Sequence, residues 1–137
     1  MQNLLLEVIS PDRIVYAGEV KSVLLSATEG DMTVYHGHEP TVATLNPGLI
    51  VMTDGEGGGH TAFLSGGFVE ITGTKMTILA HRALPMADLT AEHLDEEIIH
   101  HETIRDATLN ERARQEAELM LGRLQQMKAA LAFNAAR

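Results

Sequence analysis

The sequence predicts a mostly β fold: an N-terminal antiparallel β-sandwich followed by a C-terminal antiparallel two-helix hairpin. Three observations carry this. Eleven of the twelve glycines lie in the first 87 residues, between short apolar runs bounded by turn residues, which is the pattern of many short strands. After Pro85 the period becomes helical. The last stretch then holds an apolar seam of Ala113, Ala117, Met120, Leu124, Met127 and Leu131, spaced 4-3-4-3-4, as in a two-helix coiled coil. The expected domains are 1–87 and 88–137.

The strands are expected at Leu4–Ile9, Arg13–Tyr16, Glu19–Ala27, Asp31–His36, Val42–Leu45, Leu49–Thr53, Thr61–Ser65, Gly67–Thr72 and Lys75–Ala80. Met76, Ile78 and Ala80 alternate with Lys75 and Thr77. Leu4–Ile9 is apolar on both faces apart from Glu7. Ser10-Pro11-Asp12, Tyr16-Ala17-Gly18, Asn46-Pro47-Gly48 and Thr72-Gly73-Thr74 are expected turns, because Pro presets φ and Gly accepts positive φ. Asp54-Gly55-Glu56-Gly57-Gly58-Gly59 is rich enough in glycine to be costly to order and reads as a mobile hairpin loop.

Thr90 is placed to cap a first helix, about 91–107, with Glu92 in its favourable first turn. Leu94, Ile98 and His101 form its narrow stripe. Thr108-Leu109-Asn110-Glu111 reads as a capping box, with Thr at the N-cap and Glu at N3, opening a second helix of about 109–132. The short connection favours an antiparallel pair. Phe133-Asn134-Ala135-Ala136-Arg137 reads as a tail, native or added.

Composition narrows the function. The 137 residues contain no cysteine, which excludes disulfides, thiolate metal sites and thiol nucleophiles. The start, Met1-Gln2-Asn3-Leu4, has no basic region before an apolar run and is not expected to be a signal peptide. No apolar run approaches the roughly 20 residues that span a bilayer. A net charge of −9 argues against nucleic acid or an anionic membrane surface as the main partner. The charge is uneven: residues 88–108 hold seven acids and one base, whereas 109–137 hold three acids and five bases. Neighbouring segments of opposite sign fit paired helices.

Two readings compete for Glu29 to Pro40. In one, His36 and His38 are metal ligands, since Gly30, His36 and His38 match the opening of the cupin metal motif. The expected Glu is displaced, however: Val42 and Ala43 stand in its place, and Glu39 directly follows His38. In the other, the stretch is a glycine-punctuated strand and turn that docks on another protein. Other candidates read as structural. Ser65-Gly66-Gly67 lacks the Gly-x-Ser-x-Gly frame of a nucleophile elbow, so its glycines fit close backbone approach or a bulge. The 54–59 loop has no following helix or Lys-Ser/Thr to make a phosphate cradle. Asp95, Glu96 and Glu97 read as a solvated face. His93 and His100 share a helix face and, with His101, read as solvated histidines or a pH-responsive surface. Arg112, Arg114, Arg123 and Lys128 lie off the seam and are expected to pair with Asp95, Glu102 or Asp106 in a closed hairpin, or with an acidic partner in an open one.

These residues carry a family resemblance. Val8-Ile9-Ser10-Pro11-Asp12, Gly18-Glu19-Val20, Glu29-Gly30-Asp31-Met32, Gly37-His38-Glu39-Pro40, Leu45-Asn46-Pro47-Gly48, Gly66-Gly67-Phe68-Val69-Glu70 and Thr77-Ile78-Leu79-Ala80 are jointly specific in order and spacing. From about Leu4 to the end of the second helix, the chain resembles the epsilon subunits of bacterial F-type ATP synthases (called delta in mitochondria).

The resemblance implies a non-catalytic rotor subunit at the foot of the central stalk. Its partners are the gamma subunit and the c-ring, and the alpha/beta catalytic subunits when the hairpin extends. It couples proton-driven ring rotation to ATP synthesis and inhibits ATP hydrolysis through the hairpin. It sits peripherally on the cytoplasmic face of the bacterial inner membrane, touching the membrane only through the c-ring. Glu29, Gly30 and Asp31 map onto a loop that faces the c-ring. Gly37, His38, Glu39 and Pro40 map onto a turn that meets the stalk partners. Arg112, Arg114, Arg123 and Lys128 map onto basic residues that meet an acidic segment of beta. Thr33 stands where the family usually has Gly, and His36 where it usually has Pro. Some members bind ATP through Ile/Leu-Asp-x-x-Arg-Ala; here Leu94-Asp95-Glu96-Glu97 is followed by Ile98-Ile99. Without the arginine a phosphate lacks its partner, so ATP binding is expected to be weak or absent and no cofactor is expected.

Overall fold

The computed structural model describes residues 2–135, with side chains described through residue 133. The chain divides into two compact units between Ala87 and Asp88.

The first unit has nine strands: β1 (Leu4–Ser10), β2 (Arg13–Ala27), β3 (Gly30–Tyr35), β4 (Thr41–Leu45), β5 (Gly48–Asp54), β6 (Gly59–Leu64), β7 (Gly67–Ile71), β8 (Lys75–Ala80) and β9 (Ala83–Pro85). They form two layers that share β2. Its first half pairs with β1, from Ser10 opposite Arg13 to Leu4 opposite Val20. Its second half pairs with β3 on one side and β5 on the other. The layers continue as β1-β8-β7-β4 and β2-β5-β6-β9.

Alternation builds the core. Leu4, Leu6 and Val8 of β1 are fully buried, as are Val69, Met76 and Ile78 on β7 and β8. Val20, Val23 and Leu25 of β2, Val34 of β3, and Ile50 and Met52 of β5 meet them in one cluster.

Three expectations about the first unit need correction. Tyr16-Ala17-Gly18 is not a turn. Leu6 pairs with Gly18, Glu7 with Ala17 and Val8 with Tyr16, so partner strand β1 carries the chain straight through and two expected strands are one. The sandwich is not wholly antiparallel, since β1 and β8 pair in parallel; each is the edge of its own hairpin, and the hairpins close the layer side by side. The three-residue β9 was not expected; Ala83 to Pro85 is too short for a periodic signal and is recruited by β6. The 54–59 loop is the expected hairpin connection, between β5 and β6, and it is held by hydrogen bonds. Asp54 Oδ1 accepts from Glu56 N and Gly58 N, both at 2.9 Å, and Asp54 N donates to Gly58 O at 2.8 Å. One aspartate thus organises the glycines, as Asx residues do in turns.

A 3-10 turn (Met86–Asp88) spans the boundary between the units, followed by α1 (Ala91–Ala107) and α2 (Glu111–Ala135). Thr90 caps α1: its Oγ1 accepts from His93 N at 3.3 Å, while Thr90 N donates to His93 Nδ1 at 3.1 Å. His93 therefore takes the role that Glu or Gln fills in a capping box. The cap of α2 is Asn110, not Thr108. Asn110 Oδ1 accepts from Arg112 N at 2.9 Å and Ala113 N at 3.2 Å. Thr108 instead closes the C-terminus of α1, its N–H donating to Ile104 O at 3.1 Å. The two helices pack on each other. Leu94 of α1 and Ala117, Leu121 and Leu124 of α2 are buried, and the other seam residues are half-buried. The expected tail is helical through Ala135; Ala136 and Arg137 lie outside the described residues.

Candidate functional site

Glu29, Gly30 and Asp31 sit where β2 turns into β3. Thr28 and Glu29 form the tip and Ala27 pairs with Gly30. All three candidate residues are exposed. Gly37 to Pro40 lies at the other end of β3. A six-residue strand is roughly 20 Å long, so the structure does not bring the two groups together. Gly37 holds its turn through a φ of +89°, a conformation only glycine adopts freely. Its N–H donates to Gly73 O at 2.7 Å, which ties this turn to the β7–β8 connection. His38 N donates to Tyr35 O at 3.2 Å, and Thr41 Oγ1 donates to Glu39 O at 2.8 Å.

The alternative sites lose ground. His38 Nδ1 lies 2.8 Å from Glu39 O, bonded to its own turn. Among the described residues no three His, Asp or Glu side chains converge to hold a metal. Ser65 Oγ is buried with no hydrogen-bond partner among the described residues, so nothing there activates it. Gly67 explains that motif instead: a Cβ on it would lie 2.1 Å from Leu79 O, so the glycines serve close backbone approach. The amides of Glu56 and Gly58 point at Asp54 and are not offered to a phosphate.

Asp54 also accepts at Oδ2 from His60 Nε2, 3.0 Å away, and the His60 ring lies 5.7 Å from the Tyr16 ring. These bonds, that to His60 first, hold the Asp54 carboxyl below its usual range. Burial, reinforced by the Asp54 charge, raises Tyr16.

On the hairpin, Lys128 forms an ion pair with Asp95, as expected for a closed form. The other bases behave differently. Arg112 pairs with Glu116 at 3.4 Å within α2. Arg114 pairs with Glu111 at 3.1 Å and donates to Thr108 O at 3.2 Å. Arg123 is exposed. Asp106 is taken by Arg105, at 3.0 Å on the same helix. Neighbours in the helix reach Arg112, Arg114 and Asp106 at lower entropic cost than a residue across the seam.

The outer face of the sandwich carries a feature that sequence reading missed. Ile14 pairs with Ile9, Ile9 with Leu79, and Leu79 with Phe68. Directly opposed residues share a face, so these four make one apolar row across β2, β1, β8 and β7. Ile14, Leu79 and Phe68 are each more than half exposed. Each position looked like ordinary alternation; only the register lines them up.

The sequence model described as ATP synthase, Delta/Epsilon chain, beta-sandwich domain matches residues 3–86. The chain belongs to the ATP synthase delta/epsilon family. It is 35% identical to the ATP synthase epsilon chain of Parvibaculum lavamentivorans over 128 residues, covering 93% of this chain and 96% of that one. It is 32% identical to the epsilon chain of Maricaulis maris, covering 92% and 94%. Both alignments take in much of the hairpin. A chain of the Euglena gracilis mitochondrial ATP synthase has the same fold, with a TM-score of 0.69 at 24% identity over 94% of this chain and 81% of that one. A chain from the Tetrahymena thermophila mitochondrial ATP synthase central stalk and c-ring also superposes, at 0.61 and 9% identity over 93% and 97%. The cupin-like alternative finds no support in these comparisons. No helix among the described residues is long and apolar enough to cross a membrane.

Proposed function

We propose that this delta/epsilon-family chain is a non-catalytic rotor subunit of a bacterial F-type ATP synthase. The carrying observation is the alignment with a bacterial epsilon chain over 93% of this chain. The subunit sits in the central stalk, peripheral to the cytoplasmic face of the inner membrane, and couples proton-driven c-ring rotation to ATP synthesis. The sandwich is its anchor. The apolar row of Ile14, Ile9, Leu79 and Phe68 offers the gamma subunit a surface whose burial is favourable. The exposed turn at Glu29, Gly30 and Asp31 meets the c-ring.

The hairpin is the regulatory element, restraining ATP hydrolysis when it extends toward the alpha/beta catalytic subunits. Arg112, Arg114, Arg123 and Lys128 then meet acidic groups of beta. The pairs that Arg112, Arg114 and Lys128 leave are largely exposed and worth only about 0–1 kcal/mol each, so exchange is inexpensive. ATP binding is weak or absent, because Ile98 stands where a phosphate-binding arginine is needed and Asp95 is engaged by Lys128. Saturable ATP binding by calorimetry at physiological concentration overturns that part.

The test is ATP hydrolysis by an epsilon-depleted alpha/beta/gamma complex titrated with the full chain and with a version ending after Pro85. Capture of gamma by both, with suppression only by the full chain, is the expected result. Capture without suppression by either leaves a coupling element alone. Failure of both to capture gamma refutes the stalk assignment.

A further inference from the structure

At one corner of the sandwich two strands each keep one side open: β3 is paired along its length with β2, and β4 with β7. β3 pairs only with β2, and β4 touches β2 only through the Ala27–Leu45 bridge. A cleft of about 420 Å³ lies between them, lined by residues 27–32 and 41–44. The ladder shows where the backbone points. Thr28 N donates to Thr44 O, and Asn46 N donates to Ser26 O. Thr44 and Asn46 thus turn their backbone groups toward the β2 side. Alternation in an antiparallel ladder turns those of Val42 the same way. No strand pairs with that side of β4 at Val42 among the described residues.

Three features single out this edge. Val42 is 73% exposed, and neither charge nor proline guards it within the strand, whereas natural edges are usually guarded. The walls include Met32 and Ala43, both packed against the core. The charged residues of the lining are both acids, Glu29 and Asp31, with no base among them.

We propose that this cleft takes an extended, lysine- or arginine-bearing segment of a partner protein, which adds to the free edge of β4 as a further strand. Main-chain bonds at Val42 set its register. Its apolar side chains settle over Met32 and Ala43, and its basic ones pair with Glu29 and Asp31, the division of labour seen in strand addition generally. A second copy of this chain, at a net charge of −9, is the poorer occupant. The inference deepens the stalk reading and rests on it only for the presence of a protein at this corner.

The test uses the full chain and a short blocked peptide alternating lysine and valine, followed by NMR of the backbone amides. Two further peptides serve as comparisons: one N-methylated at alternate residues, and one with glutamate replacing lysine. The basic peptide is expected to shift Met32 and residues 42–44. N-methylation, glutamate, or the double substitution Glu29→Lys and Asp31→Lys is each expected to weaken binding at least about tenfold. Indifference to N-methylation, equal binding of the acidic peptide, shifts elsewhere, or no binding at millimolar peptide each overturns the proposal. Absent peptide binding with normal gamma capture defeats this inference alone. Absent gamma capture with intact peptide binding defeats the stalk reading alone.

Discussion

Lys128, late in α2, reaches Asp95 in the second turn of α1, and the ammonium and carboxylate touch directly. This contact joins the far end of the hairpin to its beginning. Each side chain is nearly half exposed, so the pair is worth at most about 1 kcal/mol. Asp95→Asn is expected to speed amide exchange in the first turns of α1 by up to about fivefold, and the difference should fade in high salt. A salt-independent effect would mean that the substitution acts through packing.

Gly67 has a φ of +142° and lies opposite Ala80 in the β7–β8 ladder. Gly67→Ala drives a methyl into the Leu79 carbonyl and also strains the backbone. Overpacking and strain together are expected to cost about 2–4 kcal/mol, read as a lower urea midpoint at unchanged slope. A loss below about 0.5 kcal/mol would show that β8 yields freely.

Asn46 is buried, and its Nδ2 donates to Ser26 Oγ at 3.0 Å and Ala27 O at 2.9 Å. These bonds hold the end of β4 against β2. Asn46→Ala removes both bonds, one of them to the buried Ala27 carbonyl, and should cost about 1–3 kcal/mol. Amide exchange should quicken first at the β2–β4 junction, while β5 and β6 stay protected.

Burial, and after it the neighbouring His100, lowers the pKa of His101 from 6.5. The two rings meet edge to face at 5.3 Å, and His101 Nε2 is buried with no hydrogen-bond partner among the described residues. The folded chain therefore prefers neutral imidazole. As pH falls past 6.5 the unfolded chain takes up the proton first, and folding loses stability until the folded pKa is passed. The helices should melt at lower temperature at about pH 5.5 than at about pH 7.5. His101→Gln should remove most of that difference; an unchanged difference would assign it to another group.

Leu79 sits at the centre of the exposed apolar row. Leu79→Glu should leave folding nearly unchanged, because the side chain is already more than half exposed. It should weaken capture of the gamma subunit by about thirtyfold, the effect of losing about 2 kcal/mol at an interface centre. Undiminished capture would move the gamma surface to another face.

Some of this was legible in the sequence because it is local. The change of period after Pro85, the cap at Thr90, the Met76-Ile78-Ala80 face and the seam from Ala113 to Leu131 each depend on residues within a few positions of one another. The Asn110 cap was misread because Thr108 and Asn110 both offer a side-chain oxygen near the helix start, and only the backbone path decides which one reaches the free amides. The 54–59 hairpin loop was legible from its glycines, but not the Asp54 carboxylate that bonds across it, because glycine content signals entropic cost and not what offsets it. The candidate residues at 29–31 and 37–40 were visible as motifs, but not that β3 holds them apart.

By itself, then, the sequence determined where strands give way to helices, which faces are apolar, which chemistry is missing, and which family the chain resembles. Tertiary structure alone decided that β2 serves two layers, that Ile14, Ile9, Leu79 and Phe68 fall in line, and that a cleft stays open between β3 and β4. The physical reason is the range of the interactions. Periodicity and capping act over a turn or a pleat, whereas strand register pairs residues as far apart as Ile9 and Leu79, and no local pattern in either strand carries the identity of its partner.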